Sequence, residues 1–250
     1  MIQVIKKAFN ILELLSRQPE EPIRLCHIAE KTSLNQPTCA RILQSLVECG
    51  YAEKVSPRTG YILGPMAYAL PARGPYRKDM VTAAETAMTN LAQSIKETVI
   101  LVVLYQGRRL VLKTIASDQA VRVKSYINYQ YDNPLCSATG RTLLAYLPEE
   151  ELKKIVGKEV NLQEVYPGIK TFTHLVETLK QIRNAGYTVR KTDNGIIGLG
   201  CPISEHGKVS AALGVTMPVF RFNLQHMDKL IKRIKKTTAE IESVLATDKK

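Results

Sequence analysis

Residues 24–63 constrain the fold of this chain most tightly, because they hold two short helical patterns on either side of a tight turn. The first pattern carries three apolar residues at the spacing of one buried helix face, namely Leu25, Ile28 and Ala29. Ser33 interrupts this pattern, and Asn35 is suited to cap a second helix through its side-chain oxygen. The sequence therefore predicts two helices joined by a short turn.

The second helical pattern covers residues 36–48 and has an apolar and a polar face. Pro37 fits its first turn, where a missing N–H group costs nothing, and Gly50 supplies a stop signal. The apolar face consists of Ile42, Leu43, Leu46 and Val47. The polar face, which we expect to lead outward, consists of Gln36, Thr38, Arg41, Gln44 and Ser45.

Residues 51–55 and 61–63 have strand character, and residues 56–60 between them form a turn. Two helices followed by such a hairpin, or wing, match a helix-turn-helix that enters a DNA major groove. The predicted DNA-contacting residues are Asn35, Gln36, Pro37, Thr38, Arg41, Arg58 and Thr59. The alternative is a helical hairpin of an ordinary globular core, whose polar residues simply face water.

The rest of the chain alternates between helical and strand patterns, which indicates an α+β layout. Predicted strands cover residues 98–105, 110–115, 121–124, 187–191, 195–202 and 209–217. Predicted helices cover residues 4–16, 66–70, 80–96, 137–146, 149–156, 173–184 and 223–245. Ile5 in the first of these helices and Leu224 in the last are expected to face inward.

Residues in both halves of the chain carry a resemblance to one known family. In the first half they are the run from Leu25 to Leu43 and then Leu46, Gly50, Tyr51, Tyr61, Leu63 and Gly64. In the second half they are residues 137–145, a small-residue loop that opens a helix, with Gly186, Tyr187, Gly195, Pro202, Ile203 and residues 211–216. In this order they resemble the IclR family of bacterial transcriptional regulators.

The resemblance implies a winged helix-turn-helix, a linker helix and a GAF-like effector-binding domain. These parts correspond to residues 1–64, 65–78 and 79–250. It also implies a double-stranded DNA operator, a small-molecule effector, for which an organic acid is one expected class, and a homodimer or dimer of dimers. A dimer places two recognition helices about 34–36 Å apart, so it reads a pseudo-palindrome.

The loop at residues 137–140 supports two interpretations from the residues themselves. Backbone N–H groups at a helix start attract an anion, whereas small side chains equally permit close packing of the helix on a sheet. Arg141 either meets an anionic ligand or lies on the surface. The resemblance favours a ligand cavity and implies that Ala138, Thr139, Gly140, Asp193, Gly198, Gly214 and Thr216 line it.

Two of these positions depart from the family pattern, because Gly198 and Gly214 stand where some relatives have side chains that hydrogen-bond the effector. The departure suggests a roomier or less polar cavity. A second possibility is that other side chains replace the missing groups, namely Cys201, Cys136, Tyr126 or Tyr129.

Composition restricts the remaining function classes. The net charge of +12 favours a polyanionic partner, but residues 1–70 hold eight basic and six acidic side chains and so contribute only +2. The five cysteines are odd in number and form no C-x-x-C pair, which fits reduced thiols and not a zinc site. No apolar window is long enough to span a membrane, and the first residues lack a signal-peptide pattern. We therefore expect a cytoplasmic protein without membrane contact, metal or cofactor.

Enzymatic function is the alternative of a different class. Cys136 or Cys201 is a conceivable nucleophile with His206 or His174 as its base, but nothing in the sequence orders them as a pair. The alternative would be a small-molecule-converting enzyme with an accessory helical domain, and we predict no catalytic residue. A third possibility is a winged helix that docks on protein instead of DNA.

Overall fold

A computed structural model describes residues 2–56, 59–70, 74–123, 133–157 and 161–247. The chain divides into two compact units, residues 1–75 and residues 76–250. Each unit has its own hydrophobic core.

The first unit consists of helices packed around a short hairpin. Its elements are α1 (Gln3–Ser16), α2 (Leu25–Lys31), α3 (Gln36–Glu48), β1 (Ala52–Ser56), β2 (Gly60–Leu63) and α4 (Pro65–Ala69). β1 and β2 pair antiparallel and form the wing, so the predicted winged helix-turn-helix is confirmed. Ile11, Ile28 and Leu43 are fully buried at the centre of this unit.

Asn35 fixes the start of α3. Its Oδ1 accepts a hydrogen bond from the backbone N–H of Thr38 at 2.9 Å, which satisfies one of the free donors of the first helical turn. Ser33 takes the left-handed backbone conformation in the turn before it, with φ of 54°. The capped start and the turn together set the direction of α3 relative to α2.

Ile5 is the exception in the first unit. The predicted inward position is wrong, because 49% of its surface is exposed, whereas Ile11 and Leu15 on the same helix are buried. The N-terminal half of α1 therefore extends beyond the core that its C-terminal half covers.

The second unit is an antiparallel sheet with helices on both faces. Its helices are α5 (Lys78–Ile95), α6 (Ala138–Leu144), α7 (Glu149–Val156), α8 (Leu162–Val165), α9 (Phe172–Ala185) and α10 (Met227–Thr247). Its strands are β3 (Thr98–Tyr105), β4 (Arg108–Ile115), β5 (Thr188–Lys191), β6 (Ile196–Glu205) and β7 (Lys208–Pro218). The described strands lie in the order β4-β3-β7-β6-β5 and confirm the predicted α+β class.

Successive residues of each strand point to opposite faces of the sheet. Helices α5 and α10 cover one face, whose core includes Val99, Leu101 and Leu199. Helix α6 lies on the other face against β6 and β7. This division decides which side chains of each strand can reach α6.

Two rows of cross-strand partners face α6. One row, the glycine row, joins Thr188, Gly200, Gly214 and Ile100 across β5, β6, β7 and β3. The neighbouring row, the cavity row, joins Arg190, Gly198, Thr216 and Thr98 across the same strands. The rows follow from the pairing register and the two-residue period of a strand.

The glycine row lets α6 approach the sheet. A Cβ atom on Gly200 would lie 2.6 Å from Thr142 Oγ1, and one on Gly214 would lie 2.5 Å from Thr139 Cγ2. From the helix side, a Cβ on Gly140 would lie 2.1 Å from the backbone oxygen of Pro134. Since real Cβ atoms essentially never come this close, any larger residue at these positions would force its neighbours to shift, and at Gly140 the neighbour is backbone.

Three predictions for the second unit are wrong. Residues 121–123 are not in a strand, because the chain turns away after β4, where Ser117 Oγ donates to the carbonyl of Lys96; Lys124 lies outside the described residues. The last helix begins at Met227, after a 3₁₀ turn that leaves Leu224 73% exposed instead of inward. The helix predicted over residues 137–146 is shorter, Ala138–Leu144.

No helix in the described residues combines the length and the apolar character that a membrane crossing needs.

Replacement of Gly140 by alanine should destabilise the second unit, whereas Gly198→Ala should be tolerated. Alanine gains about 1 kcal/mol of helix propensity over glycine, but a clash with fixed backbone costs about 1–3 kcal/mol or more. A Cβ on Gly198 would meet only Ala138 Cβ at 3.4 Å and, at 4.0 Å, the carbonyl oxygen of Arg190. Guanidinium unfolding followed by circular dichroism measures both variants. Equal stability of Gly140→Ala and the wild type would contradict the packing account.

Candidate nucleic-acid interface and ligand cavity

The leading face of α3 is open to solvent. Gln36, Pro37 and Arg41 are exposed and Thr38 is half-buried, while Cys39 and Leu43 on the opposite face are buried. A helix braced on one side and polar on the other can present side chains to a duplex groove. Asn35 is also exposed, but its side-chain oxygen is engaged with Thr38, so its role is to hold the helix start.

The wing contributes one described candidate. Thr59 is exposed, and its N–H donates to Ser56 Oγ at 3.0 Å, which closes the turn between β1 and β2. Arg58, the predicted phosphate contact, lies outside the described residues. Arg24 and His27, both exposed, share an open pocket with Thr59 and Glu21 beside the wing.

An apolar groove of about 920 Å³ runs between α1 and α3. Phe9 is 59% exposed, Val4 53% and Leu70 66%, and all three line it. Arg41 lies on the same groove, so the polar face of α3 borders an uncovered apolar surface. The groove belongs entirely to the first unit.

A smaller cavity of about 110 Å³ lies between the start of α6 and the cavity row of the sheet. The residues that line it are Ile100, Arg109, Cys136, Ser137, Ala138, Thr139, Arg190, Thr192, Ile196, Gly198, Leu199 and Thr216. Ala138, Thr139, Gly198 and Thr216, four predicted effector-binding residues, are therefore brought together here, and Cys136, one of the four suggested replacement groups, lines the same cavity. The structure gives Gly198 and Gly214 different surroundings: Gly198 leaves room in the cavity, whereas Gly214 is covered by Thr139.

The other predicted effector-binding residues lie elsewhere. Asp193 is exposed in the turn between β5 and β6 and does not line the cavity. Gly140 and Gly214 are packing positions, and the N–H of Gly140 already donates to Ser137 Oγ at 3.0 Å. Cys201 belongs to the core on the α5/α10 face, opposite the cavity. Tyr126 and Tyr129 lie outside the described residues.

The residues of the 137–140 loop have different surroundings. Gly140 serves close packing against the backbone of Pro134. Ala138 and Thr139 line the cavity.

Hydroxyl groups of the cavity differ in how they are bonded. Thr139 Oγ1 accepts a hydrogen bond from Arg109 Nε at 3.1 Å. Thr216 Oγ1 is buried and has no hydrogen-bond partner within the described part of the chain. A buried hydroxyl without a partner costs free energy, and a ligand in the cavity would be placed to supply one.

Arg141 is a buried cation behind the cavity. Only 5% of it is exposed; Nε donates to the carbonyl of Leu135 at 2.7 Å, and the guanidinium carbon lies 3.3 Å from the ring centroid of Tyr166. Burial lowers the pKa of Arg141 to about 10, an effect that Tyr166 opposes and the charge of Arg190 strengthens. It is neither a surface residue nor one that lines the cavity.

Sequence reasoning missed Arg109 and Arg190 as cavity residues. Each lies on an edge strand of the sheet, and a single arginine in a strand carries no signal in the hydrophobic pattern. The register supplies the information, because it pairs Arg190 with Gly198, whose missing side chain leaves room beside it.

The geometry offers little for catalysis. Burial raises the pKa of the Cys201 thiol to about 12, which keeps it protonated and a weak nucleophile. Among the described residues, no group of three or more histidine, cysteine, aspartate or glutamate side chains could hold a metal ion.

Comparisons with known proteins identify both units. Residues 4–56 match the family model for the IclR helix-turn-helix domain, and residues 76–243 match the one for the bacterial transcriptional regulator IclR C-terminal domain.

Three relatives illustrate the match. The chain is 25% identical over 246 residues to the HTH-type transcriptional regulator KdgR of Escherichia coli, covering 97% of this chain and 92% of KdgR. It is 30% identical over 186 residues to the HTH-type transcriptional regulator TtgV of Pseudomonas putida, covering 74% and 69%. An IclR homologue from Microbacterium hydrocarbonoxydans, solved with 4-hydroxybenzoate, has the same fold with a TM-score of 0.80, 21% identity and coverage of 98% and 100%.

The curated relatives are named transcriptional regulators, so this chain is a regulator and not an enzyme. The chain belongs to the IclR family of transcriptional regulators, with a helix-turn-helix DNA-binding domain followed by a C-terminal effector-binding domain.

Proposed function

We propose that this regulator binds a pseudo-palindromic operator as a homodimer, or a dimer of dimers, and that a small molecule bound beside α6 controls that binding. We assign DNA binding to residues 1–64, the linker to residues 65–78 and effector binding to residues 79–250. The observation that carries the proposal is the exposed polar face of α3 on a helix that is capped and buried on its other side. We further propose that it acts in the cytoplasm, where a bacterial operator is found.

We assign the contacts to DNA to two parts of the first unit, the start of α3 and the wing. Gln36, Thr38 and Arg41 contact base edges or phosphates, and Asn35 and Pro37 hold the start of α3 against the groove. Arg58 and Thr59 hold the backbone from the wing. Arg41 is the strongest candidate for base reading, because a guanidinium forms a bidentate pair with guanine.

The apolar groove of the first unit supports a homodimer. Monomeric proteins rarely expose large contiguous apolar patches, and here Val4, Phe9 and Leu70 are each more than half exposed. A second copy that covers the part of the groove formed by Val4, Phe9 and Leu70, and leaves Thr38 and Arg41 at its rim open, would bring two α3 helices onto one duplex. A twofold dimer then requires a pseudo-palindromic site.

The cavity beside α6 supports a small effector. It combines a short apolar wall, including Ile100 and Leu199, with polar groups that need partners, above all Thr216. We assign effector binding to Ala138, Thr139, Gly198 and Thr216, with Gly140 and Gly214 positioning α6 and not touching the ligand. The Microbacterium homologue solved with 4-hydroxybenzoate supports a small-molecule ligand for this fold.

Arg41→Ala should weaken binding to a duplex that the wild-type protein selects from a random-sequence pool. Loss of a bidentate guanine contact costs about 1–3 kcal/mol, and loss of one phosphate contact lowers the slope of log K against log salt by about one. Fluorescence anisotropy at several salt concentrations measures both quantities. Arg233→Ala, which removes an exposed arginine of α10, is the charge-matched control. Unchanged affinity and slope for Arg41→Ala would remove this residue from the interface.

Phe9→Glu should shift the protein from dimer to monomer and reduce operator affinity. The substitution places a charge in a surface that we propose to be buried between two copies, and desolvation of an unpaired charge is costly. Sedimentation equilibrium measures the change. Asn10→Glu, at the exposed neighbouring position of α1, introduces the same charge outside the groove and should leave the dimer intact. A dimer of unchanged affinity in Phe9→Glu would exclude the groove as the interface.

A further inference from the structure

A further pocket of the second unit, the α5/α10 pocket, lies among α5, β7 and α10. Its volume is about 390 Å³, and its lining comes from the end of α5, the end of β7 and the first two turns of α10 with the segments beside them. Helices α5 and α10 cover the sheet face opposite α6, and the pocket shares no lining residue with the cavity beside α6. A ligand bound here would therefore occupy a site separate from the proposed effector site.

Part of the lining of the α5/α10 pocket is apolar. Met217 is 4% exposed, and Ile95, Phe222 and Leu230 are partly buried and pack against the same hydrophobic core. These side chains come from α5, β7, the segment after β7 and α10, so the apolar lining is held by several elements of the fold. Burial of apolar surface favours binding, so a ligand with an apolar body gains free energy by covering this lining.

Glu97 is the only acid among the described residues that line the α5/α10 pocket, and its charge is already compensated. Its side chain accepts two hydrogen bonds from Arg221, from Nε to Oε1 at 2.5 Å and from Nη2 to Oε2 at 2.8 Å. The remaining terminal nitrogen of Arg221, Nη1, donates to the carbonyl of Val121 at 2.8 Å. The guanidinium of Arg221 is thus fully engaged, and this pair forms a fixed, neutral part of the pocket wall.

Two further cations of the pocket have no such partner. Lys229 and Arg233 both line it and lie four residues apart on α10, the spacing that places two side chains on one helix face. Neither forms an ion pair or a side-chain hydrogen bond with any described residue. Asp228, the acid next to Lys229, does not line the pocket. Like charges at this spacing repel each other, and an anion between them relieves that repulsion.

His226 adds a hydrogen-bond donor to the same side of the pocket. It lies three residues before Lys229, is exposed and lines the pocket with it. An imidazole carries at least one N–H group whether it is neutral or protonated. The polar side of the pocket therefore offers donors and positive charge, and no free acceptor of an acidic side chain.

The size and the two-sided lining together define the ligand. A volume of about 390 Å³ falls within the range of about 300–1,000 Å³ that small-molecule sites have. Acetate or inorganic phosphate would leave the apolar lining uncovered, and a neutral apolar compound would leave the two cations unpaired. A compound with an acidic group at one end and an apolar body at the other satisfies both sides.

We propose that the α5/α10 pocket is a second ligand site of this regulator, which binds an organic anion with an apolar body. The acidic group is held between Lys229 and Arg233, with His226 as a further donor, and the body covers the apolar lining. The inference goes beyond the proposed function, because neither the cavity beside α6 nor the DNA-contacting face of α3 takes part in this site.

Fluorescence titration of the full chain with two matched probes tests the inference. The anionic probe is 8-anilinonaphthalene-1-sulfonate, and the neutral one is N-phenyl-1-naphthylamine, which has the same rings without the sulfonate. Since other apolar surfaces of the protein also bind such probes, the site is measured as the difference between the wild type and Lys229→Gln/Arg233→Gln. This variant should lose one class of site for the anionic probe, or bind there at least about tenfold more weakly, because the charged hydrogen bonds are gone. Its binding of the neutral probe should stay as in the wild type. Equal binding of the anionic probe by both proteins overturns the inference.

Lys232→Gln/Lys236→Gln is the matched control, because it removes two charges at the same spacing of α10 from positions that do not line the pocket. It should bind the anionic probe as the wild type does. A loss as large as that of Lys229→Gln/Arg233→Gln would assign the binding to the overall charge of α10 and overturn the inference. Thermal unfolding without probe checks that each variant is folded.

Two single variants test where the apolar body lies. Leu230→Ala removes apolar lining and should weaken the anionic probe at this site, and unchanged binding in the folded variant overturns the assignment. Gly198→Ala places a methyl group in the cavity beside α6 and should leave binding at the α5/α10 pocket unchanged. Loss of the same class of site in Gly198→Ala would place the probe beside α6 and contradict a second site.

Discussion

The close contact between α6 and the sheet is the constraint on which the effector-binding unit depends. Glycine at positions 200 and 214 of the sheet removes the Cβ atoms that would meet Thr142 and Thr139 of α6, and glycine at position 140 of α6 avoids the backbone of Pro134 in the preceding turn. One row further along the strands the side chains change to Arg190, Gly198 and Thr216, and the helix and sheet separate enough to leave a cavity. Close packing and an open cavity thus lie side by side at the start of one helix, because residues two apart along a strand face the same side of the sheet.

The DNA-binding unit must hold the polar face of α3 toward solvent, although the side chains of that face do not pack into its core. The hydrogen bond from the N–H of Thr38 to the side chain of Asn35 fixes the start of α3. The buried side chains of Ile28 and Leu43 fix its apolar face. Arg41 and its neighbours are therefore free to meet a duplex. The basic charge of the chain lies mainly outside residues 1–70, so DNA binding depends on the placement of a few side chains and not on bulk charge.

Much of this arrangement was predictable from the sequence. Helix α3 has the predicted bounds and its cap is Asn35, because local propensity, capping and apolar spacing all agree there. The same reasoning failed at Leu224, where a 3₁₀ turn precedes α10, and at residues 121–123, where side-chain hydrogen bonds and not alternation direct the chain. The resemblance placed Asp193 near the effector, but it lies in the exposed turn between β5 and β6. Cys201 was a candidate replacement for missing polar groups, but the strand register places it on the α5/α10 face, because successive residues of a strand alternate between faces. Arg190 needed the register itself, which pairs it with Gly198, and Arg109 needed the tertiary structure that places it beside Thr139.

We propose that one chain carries a DNA-binding helix, α3, and a ligand-binding cavity beside α6. The central claim is that these two sites are energetically coupled. Coupling is reciprocal for binding free energies, and it typically changes affinity by about 5- to 150-fold. The most direct measurement is the affinity of the protein for its selected duplex, titrated with and without a saturating concentration of a small molecule that binds beside α6. We predict a change of that size in duplex affinity, and the same factor in the affinity for the small molecule when the duplex is saturating. Identical affinities under both conditions would contradict it.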